Sequence, residues 1–251
     1  MGKIGIQLYS VRQAASKNFL QTVRDIADMG YEGIQFAGFF DTPSSELKKV
    51  MDEKKIAAAG AHIPFHMLED KQLAQTLQYN EEIGNFFIIC PALPEEYRSA
   101  DGYKRAAERF NRIGEICKKE GFTFGYHNHH FEFERFHDTT GFELLFENTD
   151  SDLVKMELDC FWVTYAGLIP EDLMEKYQNR IVSLHVKDMT VKEGKKISTE
   201  LGNGTLDIKG MLEIGDKFGV EWFTVEQEHY DQDPMVSAKI NADYLIQLLD
   251  R

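Results

Sequence analysis

Cysteine is scarce in this 251-residue chain, and its three residues, Cys90, Cys117 and Cys160, stand far apart. An odd, dispersed set excludes a disulfide framework and a cysteine-rich zinc site; it points to reduced, mostly buried thiols in a cytoplasmic protein. Long apolar runs are missing too. None approaches the roughly 20 residues of a membrane span, so no membrane partner is expected. The opening MGKIGIQLYS has no long apolar stretch and no small-residue cleavage site, so no secretory leader is expected. Ile6 stands where a myristoylation signal needs Ser or Thr. Positive charge is short, with 28 Lys+Arg against 42 Asp+Glu and a net charge of −14. Phosphate binding wants a basic face, so this balance argues against a nucleic-acid partner, and none is expected. No glycine-rich dinucleotide fingerprint follows the first apolar run, where Tyr9-Ser10-Val11-Arg12 stands instead. Low-complexity segments and linkers are absent.

What is present is enough to build a large core: 43% hydrophobic residues, with aromatics at 12%. Short apolar runs alternate with helical patterns from end to end. The runs at 4–9, 33–36, 56–62, 86–90, 122–126, 154–158, 181–186 and 222–225 read as strands. Between them, helical spacing predicts helices near 19–27, 44–54, 71–82, 103–120, 141–147, 171–177, 208–218 and 234–249. Residues 103–120 are representative, with Ala106, Phe110, Ile113 and Cys117 on one face and Gly121 as the stop. The polar stretch 189–203 reads as a long loop. Strands alternating with helices imply a parallel sheet with crossover connections. Eight such units in about 250 residues is the size of a closed (β/α)8 TIM barrel, taken here as a single α/β domain over 1–251. A doubly wound open sheet is the competing architecture, and the missing fingerprint counts against it.

In such a barrel the chemistry lies at the C-terminal ends of the strands. Strand one ends near Gln7 and Tyr9, and strand three at His62. Strand five runs into His127-Asn128-His129-His130-Phe131-Glu132. Strands six, seven and eight end in Glu157-Leu158-Asp159, His185-Val186-Lys187-Asp188 and Glu226-Gln227-Glu228. A lone histidine at a strand end is more often a hydrogen-bonded structural group than a ligand. Carboxylates or imidazoles at four consecutive strand ends need a further cause, and a divalent cation supplies one by offsetting their repulsion. Carboxylate oxygen with imidazole nitrogen suits Mn2+, Co2+, Zn2+ or Mg2+. Lys187 lies two residues after His185, so it has the same strand face. It is read as a substrate contact or acid–base group, with a salt bridge as the alternative. His62, Gln7, Tyr9 and Trp162 are candidate substrate contacts, each also explicable as packing.

The phrases GYHNHHFEF, MELDCFW, VSLHVKDM and WFTVEQE, with the opening IGIQLYSVR and GYEGIQF, occur in the order and spacing of the xylose-isomerase-like TIM barrels. The chain resembles the sugar phosphate isomerase/epimerase superfamily over nearly its whole length. That resemblance implies one divalent metal held by side chains from strands five to eight. Asp159, His185 and Glu226 match three of the ligands. Many members place a Glu-Asn-His triplet on strand five, with its Glu on the metal, whereas this chain reads His127-Asn128-His129. The fourth ligand is then Glu132 folding back, taken first because a carboxylate is the usual ligand, or else His127.

The implied activity is isomerase or epimerase chemistry on a small sugar, keto sugar or polyol. A proton next to a carbonyl would be moved by Glu226, Glu132, His129 or Lys187. A lyase of the inosose-dehydratase or keto-glycoside type fits the same site. A non-catalytic sugar-binding barrel and an endonuclease IV-type nuclease are the remaining readings, the latter opposed by charge and by few early-strand ligands. The partner is a small-molecule sugar or polyol; a homo-oligomer is left open.

Overall fold

The computed structural model describes residues 2–250. Strands Lys3–Gln7, Gly33–Phe36, Ala57–His62, Phe87–Cys90, Thr123–His127, Lys155–Asp159, Ile181–Val186 and Trp222–Val225, here strands one to eight, close into a barrel. Every neighbouring pair is parallel, and strand eight pairs with strand one. Helices in the crossovers cover the outside, so the expected (β/α)8 barrel is the fold.

Strand alternation sorts the side chains. Tyr126 faces outward and meets Phe110 of the helix Ala100–Lys119, ring centroids 5.4 Å apart. Phe110 also packs on Phe124 at 5.2 Å; burying such a ring contributes about 2–3 kcal/mol. The Ser99 side chain starts this helix by accepting from Gly102 N at 3.1 Å. On the inner face, the N-terminal end of the barrel is plugged by Trp222 and Phe87. Only glycine leaves room for these rings: a Cβ at Gly33 would sit 2.4 Å from Trp222, and one at Gly125 2.8 Å from Phe87. Further along the strands, the inner positions turn polar.

Two expectations change. Strand one stops at Gln7, not Tyr9, because the Gln7 side chain accepts from Tyr9 N at 3.1 Å and turns the chain into a 3-10 helix, Leu8–Val11. The stretch expected as a loop after strand seven contains an antiparallel hairpin, Asp188–Lys192 with Lys195–Thr199. Its two-residue turn is Glu193-Gly194, both at positive φ, 52° and 76°, as tight hairpins require. The three cysteines are buried and unpaired. No helix among the described residues is long and apolar enough to cross a membrane.

Candidate metal centre and active site

Two inward layers of polar side chains lie at the C-terminal end of the barrel. The lower is centred on Glu157, which was expected at the end of strand six but without a role. Its Oε1 lies 2.7 Å from His62 Nε2, 3.1 Å from His127 Nδ1 and 3.0 Å from His185 Nε2. Its Oε2 accepts from Gln35 Nε2. Gln35 Oε1 in turn faces Gln7 Nε2 at 2.6 Å and His185 Nε2 at 2.8 Å. Gln7 was expected to touch substrate, but it is buried beneath the site as part of this amide chain.

The upper layer holds His127, Asp159, His185 and Glu226, whose donor atoms lie within 4.8 Å of one another. Asp159 ends strand six and caps the helix Cys160–Tyr165, its Oδ1 accepting from Trp162 N at 3.0 Å. Asn128 fixes Asp159 from strand five: Asp159 N donates to Asn128 Oδ1 at 2.9 Å, and Asn128 Nδ2 donates back to Asp159 O at 3.3 Å. The other carboxylate oxygen, Oδ2, is buried and receives no hydrogen bond from the described residues. Lys187 Nζ lies 2.9 Å from it, and His127 Nε2 and His185 Nδ1 each lie 3.8 Å away. His185 Nδ1 is 3.1 Å from Glu226 Oε2. Two imidazoles and two carboxylates converging on an oxygen without a hydrogen bond form a cluster that could bind a divalent cation.

Glu132, the first choice for the strand-five ligand, does not reach this cluster. The chain leaves strand five through the 3-10 turn Phe131–Phe133, which turns the carboxylate toward the outer core. There it accepts from Tyr126 Oη and, at 2.8 Å, from His129 N. His127 is the strand-five side chain that the structure brings to the cluster. Of the two readings of Lys187, the structure shows the salt bridge. It is 1% exposed, and its ammonium is enclosed by Glu226 at 2.6 Å, Glu228 at 2.9 Å and Asp159 at 2.9 Å. It acts as a counter-cation and does not line the cleft above.

That cleft, about 540 Å³, is lined by Tyr9, His62, Met67, His129, Trp162 and Glu226, among others. Of these residues, Trp162 and His129 each carry a buried nitrogen, Nε1 and Nδ1, without a hydrogen-bond partner among the described residues. His129 stacks on Phe131, centroids 5.3 Å apart.

Burial and the surrounding charges set the protonation states. Burial, with the neighbouring His185, pushes His127 down to about 3 despite Glu157. Burial, with His127 and Lys187, holds His129 well below the usual imidazole range, so it is neutral at pH 7. Burial opposes the charge on His185, but Glu157 and Glu226 outweigh it and raise the imidazole to about 10. Burial likewise opposes ionisation of Glu226, yet Lys187 and His185 keep its carboxyl well below the usual range. At Asp159, burial outweighs Lys187 and raises the carboxyl.

The family model for the xylose isomerase-like TIM barrel matches residues 23–248. An inosose dehydratase of Geobacillus thermodenitrificans is 28% identical, over 87% of this chain and 84% of its own length. A sugar phosphate isomerase/epimerase from Parabacteroides distasonis superposes with a TM-score of 0.82 at 25% identity, covering 98% of each chain. A 3-keto-D-glucoside 4-epimerase from E. coli shares the fold, with a TM-score of 0.73 at 19% identity over the whole of both chains. With nine-tenths of its length matched and the barrel closed as that family requires, this chain belongs to the xylose isomerase-like TIM barrel family.

Proposed function

We propose that this protein is a divalent-metal-dependent enzyme that moves a proton at the carbon next to the carbonyl of a small polyhydroxylated ketone, such as a keto sugar or an inosose. The supporting observation is the buried His127–Asp159–His185–Glu226 cluster, which opens into a cleft carrying a neutral, unpartnered imidazole, His129. His127, Asp159, His185 and Glu226 would hold the cation. A divalent ion bound there supplies Lewis-acid polarisation of a carbonyl oxygen, which acidifies the adjacent C–H.

The chain's own groups supply the rest. His129, a neutral imidazole on the wall of the cleft, is the base proposed to take the proton from carbon; a positioned base contributes about 10²–10⁴-fold. The Trp162 indole N–H, also without a partner, donates to a substrate hydroxyl. Tyr9 and Met67 present apolar surface to the C–H face of a ring. Lys187 keeps Glu226 ionised and holds it in place.

Within this class the geometry favours elimination over two-base epimerisation. An epimerase of the expected type needs a second carboxylate facing Glu226 across the substrate, and the Glu132 carboxylate is turned into the outer core. A single imidazole can take the proton from carbon and pass it to a leaving oxygen on the same face. The inosose dehydratase among the relatives accords with this. Isomerisation, with the proton returned to a neighbouring carbon, is the second reading, and the isomerase/epimerase neighbour accords with it.

The test is turnover in D2O of keto sugars, inososes and keto-glycosides by metal-loaded protein. Deuterium at the carbon next to the carbonyl, or a primary isotope effect with carbon-deuterated substrate, is expected, and both should vanish on chelation. Growth of enone absorbance identifies elimination. Turnover with neither isotope signal refutes the proposal.

A further inference from the structure

We infer that Glu157 is a positioning residue that sets the two histidines of the cluster in opposite tautomers, so that His127 presents Nε2 and His185 presents Nδ1 to the cation. This rests on the metal reading above and goes beyond it, because it assigns the donor atoms and a carboxylate that is not itself a ligand.

A backbone N–H can only donate, and one of them fixes the direction of the hydrogen bonds beneath the cluster. Tyr9 N donates to Gln7 Oε1 at 3.1 Å. Gln7 must then present its amide nitrogen outward, and it donates to Gln35 Oε1 at 2.6 Å. With its oxygen so placed, Gln35 donates through Nε2 to Glu157 Oε2. The polarity of the whole amide chain is thus fixed by the main chain just after strand one. His185 Nε2 faces two acceptors, Gln35 Oε1 at 2.8 Å and Glu157 Oε1 at 3.0 Å, so it carries a proton. Nδ1 is left for the cluster side, 3.8 Å from Asp159 Oδ2. His127 is placed the other way round. Its Nδ1 donates to Glu157 Oε1 at 3.1 Å, and its Nε2 points at Asp159 Oδ2, 3.8 Å away. One carboxylate oxygen therefore selects Nδ1–H in one ring and Nε2–H in the other.

His62, His127, Glu157 and His185 also lie close enough together to hold an ion, but both Glu157 oxygens are already engaged. Oε2 is taken by Gln35, and Oε1 is ringed by three imidazole nitrogens within 3.1 Å, the third being His62 Nε2 at 2.7 Å. Asp159, two residues on, has an oxygen, Oδ2, that meets the Lys187 ammonium at 2.9 Å and no imidazole nitrogen nearer than 3.8 Å. The difference separates the carboxylate that orients ligands from the one that could be a ligand. Carboxylates that orient metal-binding histidines in this manner typically carry about 10–100-fold in metal affinity.

Glu157→Gln tests this in the intact protein, with Zn2+ as the probe. The isosteric amide must aim its NH2 either at the Gln35 NH2, which Tyr9 N–H prevents from flipping, or at the histidine N–H groups. Zinc affinity by competition with a chelating dye is expected to fall about 10–100-fold. Long-range 1H–15N spectra of 15N-histidine-labelled, zinc-loaded wild type should show one cluster histidine protonated at Nδ1 and the other at Nε2. Gln35→Met, which removes the second acceptor for His185 together with the donor to Glu157 Oε2 and the acceptor for Gln7, but leaves the Glu157 carboxylate in place, should weaken zinc in the same direction but less, and serves if the Glu157→Gln variant does not fold. Unchanged affinity in both variants, or both ligand rings in the same tautomer, overturns the inference. So do two zinc ions per chain with one lost in Glu157→Gln, since Glu157 would then be a ligand. A wild type that binds no metal at all refutes the metal reading itself, a distinct result.

Discussion

Replacing Glu132 with glutamine is expected to reshape how the stability of this protein depends on pH. The carboxyl is completely buried. Burial raises it from 4.5 to about 7, although Tyr126 and the His129 N–H stabilise its charge. A carboxyl bound more tightly to its proton in the folded state contributes stability that is fully present below the unfolded pKa and is lost as pH rises through the folded one. Moving a carboxyl from 4.5 to about 7 corresponds to about 3 kcal/mol, lost between pH 4.5 and a little above pH 7. For a chain of this length that is about 6 °C in Tm. Other buried groups also titrate in this window; His127 and His129, held neutral, favour the folded state as pH rises. The difference between the variant and wild-type profiles removes their contribution.

The assay is urea or thermal unfolding of both proteins in chelator from pH 4 to 8. The stability of Glu132→Gln relative to wild type is expected to climb by about 3 kcal/mol across that range, whatever constant offset the altered hydrogen bonds add. A carboxylate serving as a metal ligand would be ionised in the loaded protein, and its loss would lower metal content. A flat or descending difference curve, or loss of bound metal in the variant, would refute the placement of Glu132 as a buried brace of the loop after strand five.

Asp159→Asn keeps an oxygen for the Trp162 N–H and so keeps the helix cap; metal content by elemental analysis should drop sharply with circular dichroism almost unchanged, and full metal content would remove Asp159 from the cluster. Lys187→Met leaves Asp159, Glu226 and Glu228 uncompensated, at a cost of about 3–5 kcal/mol to the metal-free protein. A bound cation takes over part of that compensation, so the rise in Tm on adding Mn2+ should be larger in the variant; equal rises would argue that metal and ammonium do not share these oxygens.

The barrel was legible because its signals are local. Short apolar runs bounded by helical spacing placed all eight strands, and strand parity alone puts His127, Asp159, His185 and Glu226 on the inner face at the chemically active end. Where the chain leaves a strand, parity ends. Glu132 lies in a 3-10 turn whose direction depends on the Tyr126 hydroxyl and the His129 N–H in the folded arrangement, and no spacing rule reports that. Preference for a carboxylate ligand pointed to the wrong side of the loop. The hairpin after strand seven carried a readable sign, Glu193-Gly194 between alternating residues, but the polar composition around it read as a loop.

Glu157 shows a different boundary. It has the same parity as Asp159, so the sequence does place it inside the barrel, about 6.6 Å lower on the strand. What the sequence withholds is its company. Gln7, Gln35, His62, His127 and His185 come from strands one, two, three, five and seven, and only closure of the barrel brings them to one carboxylate. A carboxylate without such partners would cost several kcal/mol at that depth, so its presence is intelligible only with all of them in place. The neighbouring Asp159 is chemically the same kind of group, and one layer higher its Oδ2 meets the Lys187 ammonium at 2.9 Å while the two imidazoles stand off at 3.8 Å. Residue type therefore does not distinguish ligand from brace here; the distance at which the imidazole nitrogens stand does, within 3.1 Å of Glu157 Oε1 and 3.8 Å from Asp159 Oδ2.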